Sequence, residues 1–141
     1  MSHVRTILAV AALVVGGQAA QAQTHTPPVD SLALARQFTV WFYTGMTDSL
    51  LAHYNPADSV GKGEAENILG ALDQLTSRAG NEVSVIEEKF IKRNGHTQYW
   101  RTAKFDNMEE PILLRWVIMP GGYIGGLGLG PLSQAPPIDP N

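Results

Sequence analysis

The spacing of apolar residues changes once along this sequence, and that change strongly constrains the fold. Before residue 80, apolar side chains recur at the intervals that place them on one face of an α-helix. From residue 82 onward they alternate with polar side chains, as they do along a β-strand. The sequence therefore predicts an α+β fold, with N-terminal helices packed on a curved four-stranded antiparallel sheet.

Three helices are predicted before the change in spacing. The first follows Asp30, which we expect to act as its N-cap, and ends at Gly45. Its apolar stripe consists of Leu34, Phe38, Trp41 and Phe42. A short second helix starts with Thr47 as its cap, and the third spans residues 62–79, ahead of a left-handed C-cap at Gly80. The inward face of the third helix is predicted to comprise Ala65, Ile68, Leu69, Leu72 and Leu75.

The strands are predicted from alternation and from turn residues. They span residues 83–93, 96–105, 112–119 and 123–129. Asn94-Gly95 predicts a two-residue hairpin turn, because a type I′ turn needs two residues that tolerate positive φ. Glycines weaken the fourth strand and predict a bulge or sharp bend there. The proline-rich segment from residue 134 is expected to form a loose tail.

The first residues have the features of a secretory signal peptide. Arg5 supplies a positive charge, residues 7–15 are apolar, and Ala20-Gln21-Ala22 resembles a cleavage site. The apolar run is too short for a bilayer span, which needs roughly 20 residues. We therefore expect cleavage near Ala22 and an exported protein, periplasmic or secreted, that has no further membrane association. The predicted segments are a signal peptide at 1–22, an extended leader at 23–29, the domain at 30–132 and a flexible tail at 133–141.

Composition excludes several kinds of chemistry. The sequence contains no cysteine, so disulfides, thiolate metal sites and thiol catalysis are excluded. The net charge is −3 and the basic residues are scattered, so no nucleic-acid partner is expected. The histidines outside the signal peptide lack the spacing of metal ligands, and we expect neither a metal nor a cofactor. The glycine-rich residues 121–128 lack the Lys-Ser/Thr pair of a phosphate loop and read as a tight turn and a bent strand.

Four stretches carry a resemblance to a known family: residues 34–38 (LARQF), 54–56 (YNP), 78–80 (RAG) and 114–127 (LRWVIMPGGYIGGL). Together with the order of elements, they resemble the cystatin-like cone fold typified by nuclear transport factor two. Within it, the sequence is similar to a bacterial family of exported domains of unassigned function, also found in front of α/β-hydrolase domains. The resemblance implies the cone but no catalytic residues. The sequence has no Gly-x-Ser-x-Gly elbow, so any hydrolase activity is expected from another polypeptide.

A cone of this kind can hold a small ligand in its mouth. The candidate ligand-binding residues are Trp41, Tyr54, Tyr99, Arg101 and Trp116. On the second strand Tyr99 and Arg101 share a face with Ala103 and Phe105. On the third strand the inward set is either Ile112, Leu114, Trp116 and Ile118 or Leu113, Arg115, Val117 and Met119.

The role of Arg101 depends on the face that it occupies. An inward Arg101 needs a partner, and Glu87 or Glu88 is within cross-strand reach. On the inward face, Arg101 would bind an anion in a cavity lined by aromatic residues. On the outer face, it would form an ordinary salt bridge. Trp100 alternates away from Tyr99 and is expected to lie exposed on a protein contact surface.

Catalytic residues are only weakly indicated. His53 and Asp48 are the histidine and carboxylate closest in sequence, but their separation does not place them on one helix face. Two hypotheses therefore remain. The first is a noncatalytic exported domain that binds a protein or a small ligand through the cone mouth or the open sheet face, with a possible homodimer through the sheet. The second is a small-molecule enzyme of isomerase or hydrolase type, with acid/base residues in the cavity.

Overall fold

The structure is a computed structural model that describes residues 30–54 and 62–140. Its elements are the helices α1 (Ser31–Tyr43), α2 (Thr47–Leu51) and α3 (Lys62–Ala79), then the strands β1 (Glu82–Arg93), β2 (His96–Phe105), β3 (Ile112–Met119) and β4 (Tyr123–Pro131), and a 3₁₀ turn at Leu132–Gln134. The helices pack against one antiparallel sheet, which confirms the α+β class. The predicted signal peptide and leader lie outside the described residues.

The sheet is a meander with the strand order β1-β2-β3-β4. Asn94 and Gly95 adopt φ values of 53° and 76°, which confirms the predicted turn between β1 and β2. The predicted bulge in β4 is also confirmed. Val117 pairs with Gly126 while the next residue of β3 pairs with Ile124, so Gly125 is the additional residue.

The core lies between α1 and one face of the sheet. Trp116 of β3 contacts Phe38 and Phe42 of α1, at ring-centroid distances of 5.7 and 6.1 Å. These three side chains and Tyr99 are fully buried. The pairing of Tyr99 with Trp116 decides the register of β3, because directly opposite residues share a face. The inward set of β3 is therefore Ile112, Leu114, Trp116 and Ile118.

Three local predictions about the helices are wrong. Thr47 is the first residue of α2, and its N-cap is Met46. Asp30 occupies the N-cap position of α1, but it adopts a φ of 67° and its side chain makes no capping hydrogen bond. On α3, Leu69 is 46% exposed, whereas Ile68 and Leu75 are buried. Leu69 lies about 100° around the helix from Ile68, which takes it off the face that meets the sheet. None of the helices in the described ranges has the length and apolarity needed to cross a membrane.

The opposite face of the sheet, which we call the outer face, carries a second apolar cluster. It consists of Ile91, Trp100 and Leu113. Trp100 is only 6% exposed, so the prediction of an exposed aromatic contact surface is wrong. Its indole Nε1 donates a hydrogen bond to the side-chain oxygen of Gln98 at 2.9 Å.

The segment after β4 packs on part of the outer face. Residues 134–136 lie beside Leu113 and Arg115 of the outer face. Farther along, the Asp139 N–H donates to the carbonyl of Lys92 on β1 at 3.0 Å. The Asp139 carboxylate accepts from the N–H groups of Asn94 and Gly95, at 2.8 and 3.0 Å. The segment therefore crosses the outer face from the last strand to the first hairpin, and we call it the tail strap.

Candidate functional site

A groove of about 530 Å³ opens between α1 and β1. We call it the α1–β1 groove. It is lined by Arg36, Thr39, Val40 and Tyr43 of α1, Glu82, Val85 and Glu88 of β1, and Arg101 of β2. The α1 residues follow the spacing of one helix face, so a single stretch of helix supplies one wall.

The other wall depends on irregular pairing in β1. Simple alternation would put Glu82 and Val85 on opposite faces of the strand. The β1–β2 register instead shifts between Glu82 and Ser84 and again between Val85 and Glu87. Each shift adds one residue to β1, so that three side chains spaced three apart share the helix-facing side. They are Glu82, Val85 and Glu88, opposite Phe105, Ala103 and Arg101.

A half-buried ion pair lies at the centre of the groove. Arg101 donates from Nη2 to Glu82 Oε1 at 2.6 Å and from Nε to Glu82 Oε2 at 3.1 Å. Arg101 Nη1 lies 3.3 Å from the hydroxyl of Tyr99. The Tyr43 hydroxyl donates to Glu82 Oε2 at 2.6 Å. Arg101 therefore faces inward, but its partner is Glu82 rather than Glu87 or Glu88.

Glu88 forms the second half of the network. Its carboxylate accepts from Nε and Nη2 of Arg36 at 2.9 and 3.0 Å, and from the Tyr99 hydroxyl at 2.7 Å. The connected side chains run in the order Arg36, Glu88, Tyr99, Arg101, Glu82 and Tyr43. Two guanidinium and two carboxylate groups cancel in charge, so this wall of the groove is polar but neutral.

The network fixes the protonation state of its members. Burial works against the charge on Arg101, but the hydrogen bonds that Arg101 donates to Glu82 and Tyr99 outweigh it and raise the pKa of Arg101. The hydrogen bond from Arg36 lowers the pKa of Glu88 despite partial burial. Burial, reinforced by Glu88, raises the pKa of Tyr99 to about 12. Burial and Glu82 likewise raise the pKa of Tyr43. At neutral pH these four groups therefore hold their protons or their charge firmly.

The predicted ligand-binding residues do not converge on one site. Tyr99 and Arg101 meet in the network, but Trp116 belongs to the core, where its Nε1 donates to the Thr39 hydroxyl at 3.1 Å. Trp41 packs against the ring of His53 at 4.9 Å. Tyr54 pairs with Ile124 at the edge of β4, and its hydroxyl lies 3.4 Å from Glu64 Oε1.

His53 and Asp48 do not form a catalytic pair. The Nδ1 atom of His53 lies 2.9 Å from the carbonyl oxygen of Ser49, and the ring also contacts Phe38 at 5.7 Å. Asp48 is exposed in the first turn of α2. Within residues 30–54 and 62–140, no hydrogen bond or ion pair joins the two side chains.

Sequence reasoning missed Arg36, Tyr43 and Glu82 as members of this site. The spacing of Arg36 and Tyr43 on one side of α1 was available in the sequence, but their partners could not be recognised without the β1 register. Across the described part of the chain, no cluster of three His, Asp or Glu side chains could hold a metal ion. Comparisons with protein families, curated proteins and solved structures gave no match.

Proposed function

We propose that this protein is an exported, noncatalytic binding domain that holds an apolar segment of a partner protein in the α1–β1 groove. The observation that carries the proposal is the apolar rim of the groove. Export is inferred from the signal-like first residues, and the resemblance to a cystatin-like cone of exported domains agrees with this function.

The rim of the groove includes two exposed apolar side chains, Val85 of β1 at 41% and Val40 of α1 at 53%. Val83 and Ile86, which are neighbours of Val85 along β1, are 61% and 58% exposed. Val83 and Ile86 are the additional residues at the two register shifts of β1. Bulges of this kind re-aim side chains, and here they direct two apolar groups outward instead of into the core. A cluster of exposed apolar residues is typical of a contact surface.

The same bulges determine the mode of binding. β1 is one of the two edge strands of the described sheet, and a flat edge strand would invite continuous strand addition. Bulges interrupt the regular row of backbone donors and acceptors that such pairing needs. A partner is therefore held through side chains that enter the groove, and a homodimer joined by strand pairing along β1 is disfavoured.

The polar wall supports binding over catalysis. Acid/base catalysis needs a group whose pKa lies near the working pH and that is free to exchange a proton. Tyr99 and Arg101 are committed to each other and to carboxylates, and His53 packs against aromatic rings at a distance from the network. Trp116 and Phe38 are fully buried, and Trp116 donates a hydrogen bond to Thr39 of the groove lining, so core side chains rather than an open cavity lie next to that wall.

Site-specific photocrosslinking tests the proposal. A photoreactive amino acid at Val85 should yield a discrete adduct with another protein in the envelope of the native host. The matched control is Leu69, which is exposed to a similar degree, at 46% against 41%, but lies on α3 outside the groove. A specific adduct at position 85 only would support the proposal. The absence of any adduct, or equal adducts at both positions, would refute it. Light scattering on the purified protein would show whether an adduct arises from a second copy of this protein.

A further inference from the structure

A second candidate site lies on the outer face, away from the α1–β1 groove. Arg115 of β3 is opposite Trp100 on β2 and Gly128 on β4. Its guanidinium lies directly over Gly128, where the Cβ of any other residue would overlap it. The absence of a side chain at Gly128 thus lets the cation lie flat against the sheet.

The tail strap borders this cation. A cavity of about 80 Å³ lies between Arg115, the end of β4 and the first residues of the strap. Gln134, Ala135 and Pro136 of the strap line it. Since one water occupies roughly 30 Å³, the cavity has room for a small ion but not for a nucleotide or a sugar.

No acid neutralises Arg115 within the described ranges. The ion pairs there join Arg36 to Glu88, Lys89 to Glu87 and Arg101 to Glu82. The acid of the strap, Asp139, accepts hydrogen bonds from the backbone of the hairpin turn, and its charge also interacts with that of Arg93, not of Arg115.

The charged group that affects the pKa of Arg115 is instead a second cation, Arg93. Partial burial lowers the pKa of Arg115, and the positive charge of Arg93 lowers it further. Arg93 donates from Nε to the carbonyl of Pro137 at 3.1 Å, so the strap holds it on the same face. A partly buried cation beside another cation is unfavourable unless an anion accompanies it.

We propose that the cavity beneath the tail strap binds a small oxyanion, held by the guanidinium of Arg115. The planar fork of N–H donors suits a phosphate, a sulfate or a carboxylate. Arg93, whose charge acts on both Arg115 and Asp139, lies on the same face, and Gln134 lines the cavity. An anion here would contact both the sheet and the strap, so its binding would stabilise the strap in place.

The test is a titration followed by NMR at the Nε–Hε group of Arg115, at constant ionic strength. Phosphate, sulfate and acetate are added separately, with chloride as the reference. A saturable shift with phosphate or sulfate assigns an inorganic oxyanion, and a shift with acetate alone assigns a carboxylate. Shifts that chloride reproduces, or no shift with any of the three, would overturn the proposal.

Two variants and one control separate binding from folding. R115K keeps the charge but loses the bidentate fork, and should weaken oxyanion binding by about tenfold. Oxyanion binding should raise the Tm of the wild-type protein, and R115Q should abolish that rise. The control R78Q removes an exposed arginine of α3 and should retain that rise. An unchanged rise in R115Q, or its loss in R78Q, would contradict the assignment.

Discussion

Glu82 and Arg101 form a bidentate ion pair although Glu82 is not the residue opposite Arg101 in the sheet. The directly opposite residue is Glu88, which binds Arg36 instead. The exchange of partners follows from the two register shifts in β1, which place both carboxylates on the helix-facing side. The pair Glu82 and Arg101 is shielded, with exposed side-chain fractions of 16% and 15%.

Removal of the Glu82 charge should destabilise the fold. E82Q leaves Arg101 half-buried without its anion, and we expect a loss of about 2 kcal/mol in the free energy of unfolding, measured with urea. The control E87Q breaks an exposed pair with Lys89 and should cost no more than about 0.5 kcal/mol. Equal losses in the two variants would show that burial of the Glu82 pair has no energetic consequence.

Stability should fall in acid, partly through Glu88. Because Arg36 lowers the folded-state pKa of Glu88 below the ordinary 4.5, the unfolded chain binds the proton more readily. The stabilisation is therefore complete above pH 4.5 and is lost as the pH falls through the lower folded-state pKa. Urea unfolding at a series of acidic pH values should show a shallower pH dependence for E88Q than for the wild type.

E88Q should not remove the acid dependence entirely. Hydrogen bonds from Ser133 lower the pKa of Glu110, and those from Gly95 and Asn94 lower the pKa of Asp139. An E88Q slope as steep as that of the wild type would exclude Glu88 as a contributor.

A charge on the groove rim should weaken partner capture without unfolding the domain. V85E places a carboxylate among Glu82 and Glu88 and replaces an exposed apolar contact. With the photocrosslinker at Val40, the yield of adduct should drop several-fold, whereas the free energy of unfolding should change by about 0.5 kcal/mol or less. L69E is the matched control, and an adduct yield that falls equally in L69E would contradict the assignment of the groove.

The hydrogen bonds to the Asp139 carboxylate should protect the hairpin turn from hydrogen exchange. In D139A the N–H groups of Asn94 and Gly95 lose their carboxylate acceptors and should exchange markedly faster. Amide exchange followed by NMR gives a residue-specific reading of this effect. D73A, an exposed substitution on α3, should leave both amides unchanged. Unaltered protection of these two amides in D139A would mean that their hydrogen bonds to Asp139 do not persist in solution.

Local chemistry made most of the fold predictable. The helix and strand spans follow from periodicity, and the hairpin turn follows from two residues that tolerate positive φ. The face shared by Tyr99 and Arg101 was also predictable, because side chains alternate strictly along a regular strand such as β2.

The site was predictable only in part, since its remaining members depend on long-range geometry. The pairing of Glu82 with Arg101 needs two irregularities in β1 that no turn residue announces. The burial of Trp100 likewise depends on its packing with Ile91 and Leu113 of the neighbouring strands, which alternation along one strand does not reveal. Arg101 was recognised as a residue in need of a partner, but the partner itself was not identifiable from strand alternation.

The tail strap has a mechanical consequence. In a chain without cysteine, the contact of Asp139 with Lys92 and the hairpin turn ties two positions far apart in sequence, as a disulfide does in other proteins. The first hairpin and the end of the chain beyond the last strand are held together by noncovalent bonds only. Their separation requires that the hydrogen bonds of Asp139 break first.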